Sequence, residues 1–88
     1  MKEWIHMGRR QQIKQFILEN FLFTDDDSAI SDDTSLIKQG IVDSTGILEL
    51  ILFIEEAWPV HVPPEDMTPA NFDSLDTIGR YLDDRLAA

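Results

Sequence analysis

All four prolines of this 88-residue chain fall between residues 59 and 69. A proline removes a backbone donor and pushes the residue before it out of helical geometry, so long helices are confined to the flanks of that stretch. On the N-terminal flank Ile13, Phe16, Ile17 and Phe21 step at helical spacing. Leu18, Leu22 and Phe23 widen their stripe, which predicts an amphipathic helix over 9–23. A second helix is expected from Ser44 or Thr45 to Trp58, with Asp43-Ser44 as its capping pair and Pro59 as its stop. Val60-His61-Val62 then forms a short extended link, and Thr68-Pro69 opens a single short helical turn. The last helix is capped by Asp73-Ser74 and carries Leu75, Ile78, Leu82 and Leu86 at steps of three and four. Asp73 and Asp76 lie at its start and Arg80 and Arg85 toward its end, as the helix dipole favours.

Residues 24–34 hold five Asp around a single Ile, a composition that favours local side-chain-to-backbone bonds and so a loop. Leu36, Ile37, Ile41 and Val42 bracket the turn Lys38-Gln39-Gly40 and are expected to plug that loop onto the core. No stretch alternates in the manner of a strand. The expected fold is all-α: a small acidic four-helix bundle, antiparallel, with three longer helices and one short one.

Charge narrows the function. Seventeen acidic against seven basic residues leave a net charge of −10, which excludes the basic stripe of a nucleic-acid binder and attraction to anionic membranes, and calls for basic partners. Residues 1–24 are net +2 and residues 25–88 net −12, so the acidic surface belongs to the later part. The absence of Cys removes disulfides, thiolate metal sites and Cys nucleophiles, and fits a reducing compartment. The N-terminus lacks the apolar core of a signal peptide, and no apolar run approaches the roughly 18 residues of a membrane span. A soluble, cytoplasmic, monomeric protein of one domain over 9–88 is expected, preceded by an extension over 1–8.

Around the second helix, at about 100° per residue, Ile47, Leu50, Ile51, Ile54, Ala57 and Trp58 share one arc of about 120°, the expected core face. The opposite arc holds Ser44, Thr45, Leu48, Glu49, Leu52, Glu55 and Glu56, with Phe53 at its edge. Two leucines and a phenylalanine do not belong on a solvated face. Either the helix is central and buried all round, or Leu48 and Leu52 form an apolar docking strip whose carboxylates steer a basic partner. Ser44 lies on the same face. As one of the pair Asp43-Ser44 it is either a cap for the first-turn amides or a hydroxyl placed for modification, since a helix N-terminus favours an attached phosphodiester.

The stretch Gly40-Ile-Val-Asp-Ser-Thr-Gly-Ile-Leu-Glu-Leu-Ile-Leu-Phe-Ile-Glu-Glu-Ala-Trp58 resembles the phosphopantetheine attachment segment of acyl and peptidyl carrier proteins, with Asp-Ser before a helix reading Glu-Leu-x-x-x-x-Glu-Glu. Asp33-Thr34-Ser35-Leu36, Val60-His61-Val62-Pro63 and Phe72-Asp73-Ser74-Leu75-Asp76-Thr77-Ile78 sit where that family has counterparts, and the likeness covers residues 10–86. It implies a carrier and not an enzyme. By this resemblance Ser44 would be esterified with 4′-phosphopantetheine from coenzyme A by a phosphopantetheinyl transferase, and the arm's thiol would hold an acyl or aminoacyl group as a thioester. Asp43 would flank the attachment point, while Thr45, Leu48, Glu49, Leu52, Glu55 and Glu56 would meet partner enzymes. Thr45-Gly46 departs from the Leu-Asp usual in fatty-acid carriers. Asp-Ser-x-Gly is similar to D-alanyl and freestanding aminoacyl carriers, which implies loading by an adenylate-forming ligase and transfer to downstream acyl-transfer enzymes.

Other chemistries fit poorly. A calcium loop beginning at Asp25 needs Gly and Glu where the chain has Ile30 and Leu36. His6 and His61 have no cysteine companions for zinc, so no metal site is expected. Val42-Asp43-Ser44-Thr45-Gly46 lacks the first Gly of a hydrolase nucleophile elbow. The competing expectation is an acidic helical adaptor, or an unloaded degenerate carrier, that binds a basic protein without modification.

Overall fold

Ile13, Ile17, Leu50, Ile54, Ile78 and Leu82 are withdrawn from solvent into one core in the computed structural model, which describes residues 8–87, the last by its backbone alone. They come from α1 (Arg9–Ile17), α2 (Ser44–Ala57) and α4 (Leu75–Ala87); the short α3 (Pro69–Phe72) adds the fully buried Phe72. Each such side chain contributes about 2 kcal/mol by leaving water. Among the described residues there are four α-helices and no strand, as the proline distribution and the helical spacing require. The segment 1–7, most of the expected N-terminal extension, lies outside the described residues.

The first helix departs from its expected course. Regular α geometry stops at Ile17, and Leu18–Leu22 forms a π turn that ends in Phe23 at φ 54°, with the Thr24 amide donating to the Leu18 carbonyl at 3.0 Å. The extra residue in the turn shifts the phase of everything after it. Phe21 swings edge-on to Phe16, with centroids 6.0 Å apart, while Phe23 points outward and is 83% exposed, not part of the buried stripe.

The acidic loop contains one 3₁₀ turn, Asp27–Ala29, capped by Asp26, whose carboxylate accepts both the amide and the hydroxyl of Ser28. Those bonds hold the Asp26 carboxyl below the usual carboxylate range. Ile30, the single large apolar residue of 24–34, anchors the loop in the core. Leu36 and Val42 plug the following turn as expected, and Gly40 takes the positive φ of 70° that the turn needs. Ile37 does not plug it, remaining 39% exposed, because its backbone is drawn to Asp73.

The sequence places Asp73 beside Ser74 as a cap of α4. The two residues divide the work. Ser74 makes a reciprocal cap with Thr77, its hydroxyl accepting the Thr77 amide at 3.2 Å and its own amide donating to the Thr77 hydroxyl at 3.2 Å. The Asp73 carboxylate turns instead to the loop, accepting the Ser35 hydroxyl at 2.7 Å and the Ile37 amide at 3.0 Å. Asp73 thereby ties the turn before α2 to the start of α4.

Candidate functional site

The start of α2 is built by Asp43. In extended conformation at φ −103°, it accepts the Ile47 amide on its carbonyl at 2.9 Å and the Gly46 amide on its carboxylate at 2.8 Å. Asp43 is therefore the cap, and Ser44 is the first residue of the helix. The Ser44 hydroxyl is exposed and has no hydrogen-bond partner among the described residues. In an α-helix the first-turn amides lack acceptors inside the helix. Those of Ser44 and Thr45 remain available beside that hydroxyl, because Asp43 takes only Gly46.

Gly46 is buried in the first turn, where glycine costs helix stability. A Cβ there would lie 2.9 Å from both Phe21 Cε1 and Val42 Cγ1. The missing side chain lets the π turn after α1 press directly against the base of α2, which fixes the direction in which Ser44 faces.

Ser44 stands on the rim of a groove of about 650 Å³ lined mainly by apolar groups from three segments: Ile37, Gly40 and Val42 from the turn, Ile47 and Leu48 from α2, and Met67, Thr68 and Pro69 across from them. A smaller, more polar cleft lies on the other flank, where Thr45 and Glu49 face Asn20 and Phe21. Helical spacing identifies Ser44 and Leu48 but not Ile37, which the turn before α2 brings to the groove, nor Met67 and Thr68, which reach it through the chain's return after Pro59. Their one sequence signal is an apolar residue at each end of a turn.

The α2 face expected to dock partners divides in two. Leu48 and Leu52 are 52% and 60% exposed, with Thr45, Glu49 and Glu56 exposed around them. A helix buried all round is thus excluded. Glu55 is committed to the fold: its carboxylate accepts the Val62 amide at 2.9 Å and lies 3.2 Å from His61 Nδ1. Phe53 also leaves the exposed set, since its ring stacks on Phe16 with centroids 4.3 Å apart and meets Trp58 edge-on. Ala57, expected in the core, is exposed because α2 ends there and Trp58 turns out of the helix at φ −134°, leaving Ile54 and Glu55 to make the contacts of the last turn.

No Lys or Arg occurs between Gln39 and Gly79, a stretch with eight acidic residues, so every charged side chain of α2 is acidic. The basic side chains Arg9 and Arg10 are held on the α4 side by Asp83 at 2.9 Å and Asp76 at 3.2 Å. A larger cleft of about 760 Å³ lies between these arginines and α4, but Arg9 and Asp83 of its lining pair with each other and it does not include Ser44. Among the described residues no cluster of His, Asp and Glu is arranged to hold a metal ion, and no helix is long and apolar enough to cross a membrane.

No protein-family model matches the chain. A stretch of 49 residues, 56% of this chain, is 39% identical to the lincomycin biosynthesis protein LmbN of Streptomyces lincolnensis, and it covers 18% of that protein. The chain therefore spans under a fifth of the length of the relative it matches.

Proposed function

We propose that this protein is an acyl or aminoacyl carrier that bears 4′-phosphopantetheine on Ser44 and presents the attached group to partner enzymes. One observation carries the proposal: Asp43 performs the capping, which leaves the Ser44 hydroxyl unpaired and exposed at the head of a 14-residue helix. A serine needed only as a cap would be bonded where Asp43 is. The chain's own groups fit a phosphodiester at this point. The Ser44 Oγ is the acceptor atom, giving up its proton to a base of the transferase as 3′,5′-ADP leaves coenzyme A. The free amides of Ser44 and Thr45 then lie where the positive end of the α2 dipole favours an anion. The arm's terminal thiol supplies the thioester chemistry for which a chain without Cys has no group of its own.

Leu48 and Leu52 provide apolar area and Glu49 and Glu56 provide steering for a transferase, a ligase and an acyl-transfer enzyme with basic surfaces. Assignment to the D-alanyl or aminoacyl type rests on Asp43-Ser44-Thr45-Gly46, and the similarity to a lincomycin biosynthesis protein supports service in the assembly of a small specialised product. The test is the intact mass of the protein after incubation with coenzyme A and a broad-specificity phosphopantetheinyl transferase, beside Ser44→Ala. A gain of one phosphopantetheinyl group in the parent and none in the variant is expected. The acidic adaptor, which uses the same Leu48–Leu52 strip, predicts a gain in neither.

A further inference from the structure

The two walls of the groove beside Ser44 are held by different means. On one side, Ile37, Gly40 and Val42 belong to a turn bonded through its main chain: the Leu36 amide to the Asp73 carbonyl at 2.7 Å, the Ile37 amide to the Asp73 carboxylate, and the Ile41 and Val42 amides to the Leu36 carbonyl at 2.9 and 3.1 Å. On the other, Met67, Thr68 and Pro69 make no main-chain bond to α2 or α4. Their backbone bonds are local: the Met67 amide donates to the Pro64 carbonyl and the Thr68 amide to the Asp66 carbonyl, while the Thr68 carbonyl accepts from Asn71 and Phe72 and the Pro69 carbonyl from Asp73 in the short α3 turn.

Among the hydrogen bonds of the described residues, one joins residues 63–69 to a long helix: Tyr81 Oη of α4 donates to Asp66 Oδ2 at 2.8 Å. Asp66 is also bound from the α3 side, its carbonyl accepting the Asn71 side-chain amide at 2.9 Å. Tyr81 is well placed to act as a fixed post. Its ring packs on the fully buried Phe72 with centroids 5.3 Å apart, and the Arg85 guanidinium lies 5.9 Å over it while bonding the His61 carbonyl at 3.2 Å. Burial, and then the Asp66 carboxylate, push its phenol up to about 12, so the hydroxyl remains a donor throughout the neutral range.

We propose that Tyr81 is a positioning residue for the groove: through Asp66 it sets how closely the Met67–Thr68–Pro69 wall stands to Ser44, and so the room beside whatever group Ser44 carries. The first half concerns the unloaded protein. The second rests on the carrier function proposed above.

Amide hydrogen exchange on the unloaded protein tests the first half. In Tyr81→Phe, which removes only the hydroxyl, the Met67 and Thr68 amides are expected to exchange about three- to tenfold faster, while Leu36 and Ile37 across the groove keep the parent rate. Asp66→Asn, which retains an acceptor oxygen, should remain close to the parent. Unchanged exchange at Met67 and Thr68, or acceleration spread equally over Leu36 and Ile37, overturns the proposal. The second half is read by NMR on protein loaded from phenylacetyl-coenzyme A. Loading is expected to move the Ile37 and Met67 methyl resonances in the parent, and in Tyr81→Phe to move Met67 less and Ile37 as before. Equal movement of Met67 in both proteins contradicts it. Failure to load at Ser44 defeats the carrier function and leaves the exchange result standing on its own.

Discussion

Phe21 Cε1 occupies the space a Gly46 side chain would need, 2.9 Å from where its Cβ would lie, with Val42 Cγ1 at the same distance. Glycine at the third helical position is thus a packing requirement, imposed where the π turn meets the helix that presents Ser44. Gly46→Ala gains about 1 kcal/mol of helix propensity and loses about 2 kcal/mol by overpacking. The net expectation is a lower urea midpoint. In a double-mutant cycle, Phe21→Ala should cost less in the Gly46→Ala background than in the parent.

Asp43 and Ser44 are neighbours with opposite stability signatures. Asp43→Ala removes the cap on Gly46 and is expected to cost about 1 kcal/mol. Ser44→Ala removes an exposed hydroxyl with no partner and should stay within about 0.5 kcal/mol of the parent. Chemical denaturation of the two variants checks the assignment, and a large cost at Ser44 would show that the serine has a structural task.

Glu55 separates from the other acids of α2. Glu55→Ala strands the Val62 amide and is expected to cost about 1–2 kcal/mol of stability. Glu49→Lys and Glu56→Lys, both on the exposed face, should leave the melting temperature nearly unchanged and raise the KM of the transferase about tenfold at low salt, less at high salt. Leu52→Ala should raise KM with little salt dependence. Steady-state kinetics at two ionic strengths distinguishes these cases.

Tyr81 is the single tyrosine of the chain, so its phenolate absorbance reports one group. Titration is expected with a midpoint near 12 in place of the ordinary 10.0. The folded state keeps the proton that the unfolded chain releases, so the stabilisation is complete below pH 10 and is lost as pH rises toward 12. In Asp66→Ala the midpoint should fall, because the hydrogen-bond acceptor and its charge are both gone.

Much of this is legible along the chain, for reasons that also mark where legibility ends. A helical wheel gives angle, and angle alone places Leu48, Leu52, Glu49 and Glu56 on the face of Ser44. It does not show what stands opposite. Phe53 shares that edge and is covered by Phe16, Ala57 shares the core arc and is left exposed, and Glu55 is taken up by an amide seven residues ahead. The π turn is invisible to a periodic analysis that assumes constant pitch, which is why Phe23 reads as part of a buried stripe. The far wall of the groove depends on how the chain returns after Pro59, Pro63 and Pro64. No local pattern around Met67 and Thr68 records that path.

The most direct test of the central claim is fragment-ion mass spectrometry of the protein after incubation with coenzyme A and a phosphopantetheinyl transferase, locating any added group along the chain. One phosphopantetheinyl group per chain is expected, on Ser44, with Ser44→Ala unmodified and equally stable. An unmodified parent, or a group attached at Thr45 or elsewhere, would contradict it.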